Sequence, residues 1–209
     1  MQMRCVPAEF TGFSPLDRLV RRSRLIGQEE NLVLWGGGNT SSKMTETDPW
    51  GRERRVLRIK GSGADLKAVT AKNFSGLYLD LLEPLLDRTA MDDAAMVDFI
   101  SRCFVEPNAP RPSIETLLHG FVPHACVDHS HADACLALTN TPRRELLARG
   151  VWGEKFIWIP YQRPGFSLAK AVGLAVRARP DADAVVLENH GLITFGANDE
   201  ESYSRHIDY

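Results

Sequence analysis

Three histidines carry the strongest chemical signal in this chain: His129 and His131 in the run VDHSHADA, and His190 in ENHG. If the strand read at ACVDH continues through them, side chains two apart share a face, which puts the His129 and His131 imidazoles on one side. Two imidazoles on one side form a chelating pair for zinc or a similar divalent ion. Taken alone, H-x-H reads first as two polar residues at a strand end, each with its own hydrogen bond. His190 alone is a histidine in a turn. It follows the apolar run AVVL, so it sits at a strand end and points toward a cleft. Together the segments supply three imidazoles with an open fourth position, the pattern of a catalytic rather than a structural metal site.

Glu115, in SIETLLHG, is a carboxylate that can serve such a cation as ligand, as general base, or as both by turns. Its plain alternative is helix-dipole stabilisation near an N-terminus. His119, four residues on, shares that helical face and reads as a packed neighbour rather than a fourth ligand. Two glycine turns follow a different logic, GGGNTSSK (36–43) and KGSGAD (60–65). Ser41 breaks G-x-G-x-x-G, and no G-K-[ST] stands at the spacing of a nucleotide loop. What remains is exposed backbone N–H groups with Asn39, Ser41, Ser62 and two lysines, which suits a phosphate. Two hairpin turns needing positive φ would show the same residues.

These side chains must be positioned by a framework of strands and helices. A helix is expected from Pro15 to Gln28, capped by Ser14. NLVLW (31–35) reads as a strand stopping at three glycines, and VLRIK (56–60) as a second, with TETDPWGRER a polar hairpin-like connection. Residues 80–106 read as acidic helical surface. SIETLLHG reads as a helix with Ser113 at the N-cap, Glu115 in the first turn and Gly120 at the stop. ACVDH, FIWI, AVVL and LITF are expected strands. Ala132–Leu138, Leu168–Arg179 and the last segment from Asp199 are expected helices. One α/β domain over residues 1–209 accounts for the pattern.

The chain has 209 residues, 44% of them hydrophobic and 25% charged, which excludes disorder, collagen and coiled coil as descriptions of the whole. The net charge of −2 gives no global pull toward nucleic acid or an anionic membrane. The four cysteines, at 5, 103, 126 and 135, form no C-x-x-C and no zinc-finger spacing, and Cys126 and Cys135 read as buried thiols. The N-terminal MQMRCVPAEF has no apolar leader region, and no apolar run approaches the roughly 20 residues of a membrane span. The expectation is a cytoplasmic protein.

In order and spacing, GGGNTSSK, KGSGAD, PSIETLLHG, VDHSHADA and VVLENHGLITFG resemble the class II aldolase/adducin family across residues 14–204. The three-glycine turn and KGSG with PSIET are most similar to the aldolase half of bifunctional proteins that join a rhamnulose-1-phosphate-type aldolase to a short-chain dehydrogenase. Nothing in the chain corresponds to the dehydrogenase half. The resemblance implies a three-layer α/β/α fold with a mainly antiparallel central sheet. It implies a zinc held by His129, His131 and His190, Glu115 as catalytic acid/base, and a phosphate pocket at Asn39, Ser62, Gly63 and Ser113. The implied activity is cleavage of a ketose 1-phosphate to dihydroxyacetone phosphate and an aldehyde. The alternatives are a phosphosugar epimerase or dehydratase on the same scaffold, or a non-catalytic adducin-like interaction module. Epimerase relatives usually carry aspartate where Glu115 stands, which tilts the reading toward aldol cleavage. The implied partners are a phosphorylated sugar and further copies of the chain, as a homotetramer. Two departures stand out. Ile114 occupies the place of a second serine before the glutamate. The chain ends at Tyr209, inside what the resemblance makes a longer final helix, as a truncated version would.

Overall fold

The computed structural model of the chain describes residues 10–209. The N-terminal stretch through residue 9, with Cys5, lies outside the described residues. Helix α1 (Pro15–Gly27) begins as expected, with the Ser14 hydroxyl accepting from the Asp17 N–H at 3.2 Å and proline in the first turn. Strands β1 (Asn39–Thr47), β2 (Glu53–Lys60) and β3 (Phe74–Tyr78) follow. Next come α2 (Leu79–Leu82), α3 (Asp93–Ser101) and α4 (Thr116–Phe121), then β4 (Cys126–Ser130). The remaining elements are α5 (Asp133–Thr139), α6 (Arg144–Trp152), β5 (Phe156–Ile159), α7 (Phe166–Ala178), β6 (Ala184–Leu187), β7 (Gly191–Gly196) and α8 (Asp199–Asp208).

The strands form one sheet in the order β3-β2-β1-β4-β7-β6-β5. Every neighbouring pair is antiparallel except β5 and β6. The pleat sends alternate residues to two separate cores. Val185 and Leu187 of β6 join the core beneath α2, α3, α4 and α7. Ala184 and Val186 join the core beneath α1, α5, α6 and α8. Helices therefore cover both faces, a three-layer α/β/α architecture. Among the described residues, no helix is long and apolar enough to cross a membrane. Cys103, Cys126 and Cys135 are buried free thiols.

Several elements differ from their sequence reading. NLVLW is not a strand: the Leu32 and Val33 N–H groups turn back onto the Glu29 carbonyl at 2.9 and 3.1 Å. Leu32 and Val33 are buried, while Leu34 and Trp35 stand 64% and 86% exposed. The strand lies instead at Asn39–Thr47, and the GGGNTSSK turn shrinks to its glycines. The cause is that β1 carries a single apolar residue, Met44, and otherwise alternates polar side chains. Toward α1, Thr40 shares a hydrogen bond with Ser23 at 2.6 Å, and Ser42 accepts from Arg22 at 3.2 Å. Toward α4, Ser41 bonds His119 Nδ1 at 2.7 Å. Lys43 Nζ donates to the carbonyls of His119, Val122 and His124 at 3.0, 2.5 and 2.8 Å. The TETDPWGRER connection is a hairpin as expected, though the strands reach into it, pairing Glu46 with Arg54 and Thr47 with Glu53 around residues 48–52.

Helix α4 starts later than expected. Ser113 accepts from the Glu115 N–H at 3.2 Å, and Thr116 donates to the Ser113 carbonyl at 2.6 Å, so a turn precedes the helix. Glu115 is the N-cap rather than a first-turn residue, and Gly120 lies inside the helix. Helix α6 escapes the sequence reading because its large apolar residues point outward: Leu146 and Val151 are 67% and 63% exposed, and Ala148 is its buried residue.

Behind the sheet centre lies a fully buried guanidinium. Arg22 donates Nε to Asp128 Oδ1 at 2.9 Å, Nη1 to Asp199, and Nη2 to the Ser41 carbonyl at 2.6 Å. Asp128 Oδ2 also accepts from Ser202 at 2.7 Å. Asp128→Ala strips a buried cation of one of its two carboxylate partners and leaves its Nε without an acceptor. The expected loss is about 3–5 kcal/mol of stability, measured by equilibrium urea unfolding.

Candidate metal and acid–base site

Strand β4 is the shared support of this site. Its alternation sends Asp128 and Ser130 back toward Arg22 and His206, and His129 forward toward α4. His129 stands opposite Asn39 on β1 and Ile193 on β7. His190 occupies the turn between β6 and β7, and His131 directly follows β4. The imidazole centroids lie 4.9 Å (His129–His131), 5.1 Å (His129–His190) and 5.3 Å (His131–His190) apart. One ring nitrogen from each falls within 4.8 Å of the others. His129 is buried, His190 partly so, and His131 stands exposed at the mouth.

Two glycines permit this close approach. Gly191 has φ +158°, and a Cβ there would come 2.3 Å from the Ser130 carbonyl. Gly38 has φ +62°, and a Cβ would come 2.9 Å from the His129 carbonyl. Neither position admits a side chain. The ENHG turn is braced from α6: Arg144 Nη1 donates to Glu188 Oε1 at 2.5 Å and to Asn189 Oδ1 at 3.0 Å. Asn189 holds φ +54°.

His129 Nδ1 donates to the Leu192 carbonyl at 2.9 Å, which leaves Nε2 as the free lone pair. That Nε2 is buried and has no hydrogen-bond partner, as is His190 Nδ1. Orphaned buried nitrogens in a group of three imidazoles fit a divalent metal of the zinc class, which would be held by His129, His131 and His190. Burial lowers the pKa of His129, and lowers that of His131 to about 4 with help from the neighbouring imidazoles. Both rings are therefore neutral at pH 7, the form that binds a cation.

The Glu115 carboxylate faces this group. Oε1 lies 3.2 Å from His190 Nε2, and Oε2 lies 3.4 Å from His129 Nε2. Oε2 also accepts from Asn39 Nδ2 at 2.8 Å. Burial works against its charge, yet His129 and the hydrogen bonds from His190 and Asn39 outweigh it and hold the carboxyl well below the ordinary range. Asn39 is thus a partner of the carboxylate, and it reaches Ser113 Oγ at 3.3 Å. Ser62 and Ser113 line one cavity, which Glu115 and the three histidines do not line. Gly63 has φ +78°, and its turn packs against the Gly36 loop, where a Cβ on Gly36 would sit 3.2 Å from the Gly63 carbonyl.

Some supporting residues have no sequence signature. Arg144 lies 44 residues from Glu188 and on a helix that the sequence did not reveal. His206 bonds Thr194 at 2.7 Å through Nδ1 and Ser130 at 2.8 Å through Nε2, bracing β4 from behind. Ser41 and Lys43 hold α4 by contacts that only the β1 register exposes.

Comparison with known proteins bears on this arrangement. The profile of the Class II Aldolase and Adducin N-terminal domain family matches residues 17–208. The N-terminal class II aldolase domain of a conserved protein from Thermoplasma acidophilum is 42% identical. It superposes with a TM-score of 0.92, covering 100% of this chain and 95% of that one. The L-fuculose-1-phosphate aldolase of Thermus thermophilus is 17% identical with a TM-score of 0.59, covering 92% of this chain and 90% of that one, a likeness of fold. Among curated proteins, the uncharacterized oxidoreductase YuxG of Bacillus subtilis (strain 168) is 46% identical over 192 residues, 92% of this chain. This chain spans 28% of that relative's length. On a matched profile over nearly its whole length and on the Thermoplasma domain, the chain belongs to the class II aldolase and adducin N-terminal domain family.

Proposed function

We propose that this chain is a metal-dependent aldolase that splits a ketose 1-phosphate into dihydroxyacetone phosphate and an aldehyde, with zinc as its metal. The observation that carries the reading is the Glu115 carboxylate set 3.2 and 3.4 Å from the facing nitrogens of His190 and His129. It pairs a general base with a three-imidazole set that runs from the buried His129 to the exposed His131. A divalent ion bound there supplies Lewis-acid polarisation of the substrate's carbonyl oxygen.

The chain's own residues supply the rest. In cleavage the C3–C4 bond breaks, the C4 hydroxyl loses its proton and becomes the aldehyde carbonyl, and C3 takes up a proton. Glu115 is the group at C3: as a carboxylate it removes the C3 proton in the condensation direction, and in cleavage it passes to C3 a proton taken up from solvent, which balances the one the C4 hydroxyl releases to solvent. Asn39 fixes the carboxylate through Oε2, so the base meets C3 in a set orientation. Ser62, Gly63 and Ser113 receive the phosphate, with Asn39 bridging from Ser113 to the carboxylate. The same reading makes the chain a homo-oligomer, a tetramer.

The oxidoreductase name of the Bacillus relative belongs to a protein more than three times as long. In the described residues of this chain only β5 and β6 run in parallel, so the crevice of a doubly wound dinucleotide fold is absent here. We assign this chain to the aldolase part of such an arrangement.

Three measurements test the reading. Metal analysis of purified protein is expected to give one divalent ion per chain. His129→Ala and His190→Ala should each fall well below that, and unchanged content in both variants removes the three-histidine assignment. Glu115→Gln should fold and keep its metal, yet lose about 10²–10⁴-fold in exchange of the C3 proton of dihydroxyacetone phosphate with deuterated solvent. Exchange at the wild-type rate would mean that another residue is the base. Inorganic phosphate should compete with substrate, and Ser62→Asp should abolish that competition by charge repulsion; competition indifferent to Ser62→Asp places the phosphate elsewhere.

A further inference from the structure

The segment that leads into Glu115 lines a cavity of about 690 Å³, with Ser62, Arg111 and Ser113 as polar lining residues and an apolar wall that includes Met96, Ile100 and Ile114. Among the described residues, Arg111 is the only charged one lining it. Its backbone is fastened: the Ser62 N–H donates to the Arg111 carbonyl at 2.8 Å, and Gly61 bridges to Pro112. Its side chain is free, with no acceptor and no ion-pair partner among the described residues. The Gly63 N–H, in the same turn as Ser62, also lacks an acceptor there.

The other nearby cations are committed. Lys60 is 2% exposed and gives its ammonium to the carbonyls of Gly36 and Ala64 at 3.1 and 2.6 Å, tying the two glycine loops together from beneath. Arg58 is held by Glu46 and Glu106 at 2.6 and 2.7 Å. Position 114 offers no hydrogen-bonding side chain: Ile114 is 43% exposed and contributes hydrocarbon to the wall. A dianion entering this cleft would meet neutral donors and one available guanidinium, the group best shaped for a forked grip on phosphate oxygens.

We propose that Arg111 binds the anionic group of the substrate, a phosphate monoester dianion, by a forked contact beside Ser62 and the Gly63 N–H. Selection of the phosphorylated substrate then rests on charge where the neighbouring Ile114 supplies no hydroxyl. The proposal rests on the reading that the cleft takes a phosphate ester.

Titration calorimetry with inorganic phosphate tests it on metal-loaded wild type, Arg111→Ala and Arg111→Lys. Loss of one forked, charge-assisted contact should weaken phosphate about tenfold or more in Arg111→Ala. Arg111→Lys should fall between the two, since it keeps a point charge without the fork. Metal content and thermal midpoint should match wild type in both variants, because the side chain supports nothing else. Binding in Arg111→Ala within twofold of wild type overturns the role of Arg111. If that binding is nevertheless lost in Ser62→Asp, the phosphate-ester reading stands without Arg111. A wild-type protein that takes up no phosphate overturns the phosphate-ester reading and this proposal with it.

Discussion

A guanidinium sealed from water is tolerable only when its donors are all engaged, and Arg22 meets that condition by tying α1 to three other segments at once. It takes the Asp128 carboxylate from β4, the Asp199 carboxylate from the start of α8, and the Ser41 carbonyl and Ser42 hydroxyl from β1. Strand β4 can therefore lie in only one register against α1 and α8. Because strand residues alternate, fixing Asp128 toward the back fixes His129 toward the front. A slip by one residue would turn the imidazole into the rear helical layer and bring Asp128 to the front. The buried ion pair thus acts less as a source of net stability than as a selector of register.

That division of labour explains what could be read in the sequence. The histidine segments were legible because their chemistry and their strand-end positions coincide: AVVL runs into ENHG, and ACVDH into HSH. Glu115 was legible by motif, though its place as an N-cap was not, since the Ser113 turn displaces the helix start by two residues. The support was largely hidden. In β1 the usual code of apolar and polar alternation is replaced, from Asn39 to Lys43, by polar residues on both faces, each with its own partner. Nothing in NTSSKMTET distinguishes a serine that caps a turn from one that bonds a buried histidine. NLVLW misleads for the opposite reason, offering apolar residues where half of them end exposed.

The polar face of β1 toward α4 also gives the carboxylate its stiffness. Asn39, Ser41 and Lys43 occur two apart and reach Glu115, His119 and the last carbonyls of α4 in turn. A six-residue helix is too short to hold itself in water. Here it is clamped along its whole length by one strand, so the Glu115 carboxylate is oriented before any ligand arrives. Lys43 contributes by filling three carbonyls that the helix end and the following turn leave open. Burial lowers its pKa to about 7, and the three acceptors mark the ammonium as a structural donor.

The sheet order sets β4 between β1 and β7, and the His190 turn is completed by strands near the end of the chain. During synthesis on the ribosome, Asn39, Glu115, His129 and His131 all emerge well before the third imidazole. The central strand gains its second neighbour only when β7 appears, and Arg22 gains Asp199 only after that. Between the emergence of His131 and that of His190 the nascent chain holds two of its three imidazoles at the end of a strand with one open edge. Assembly of the three imidazoles and pairing of β4 on its second edge therefore depend on the same stretch of chain, residues 190–196.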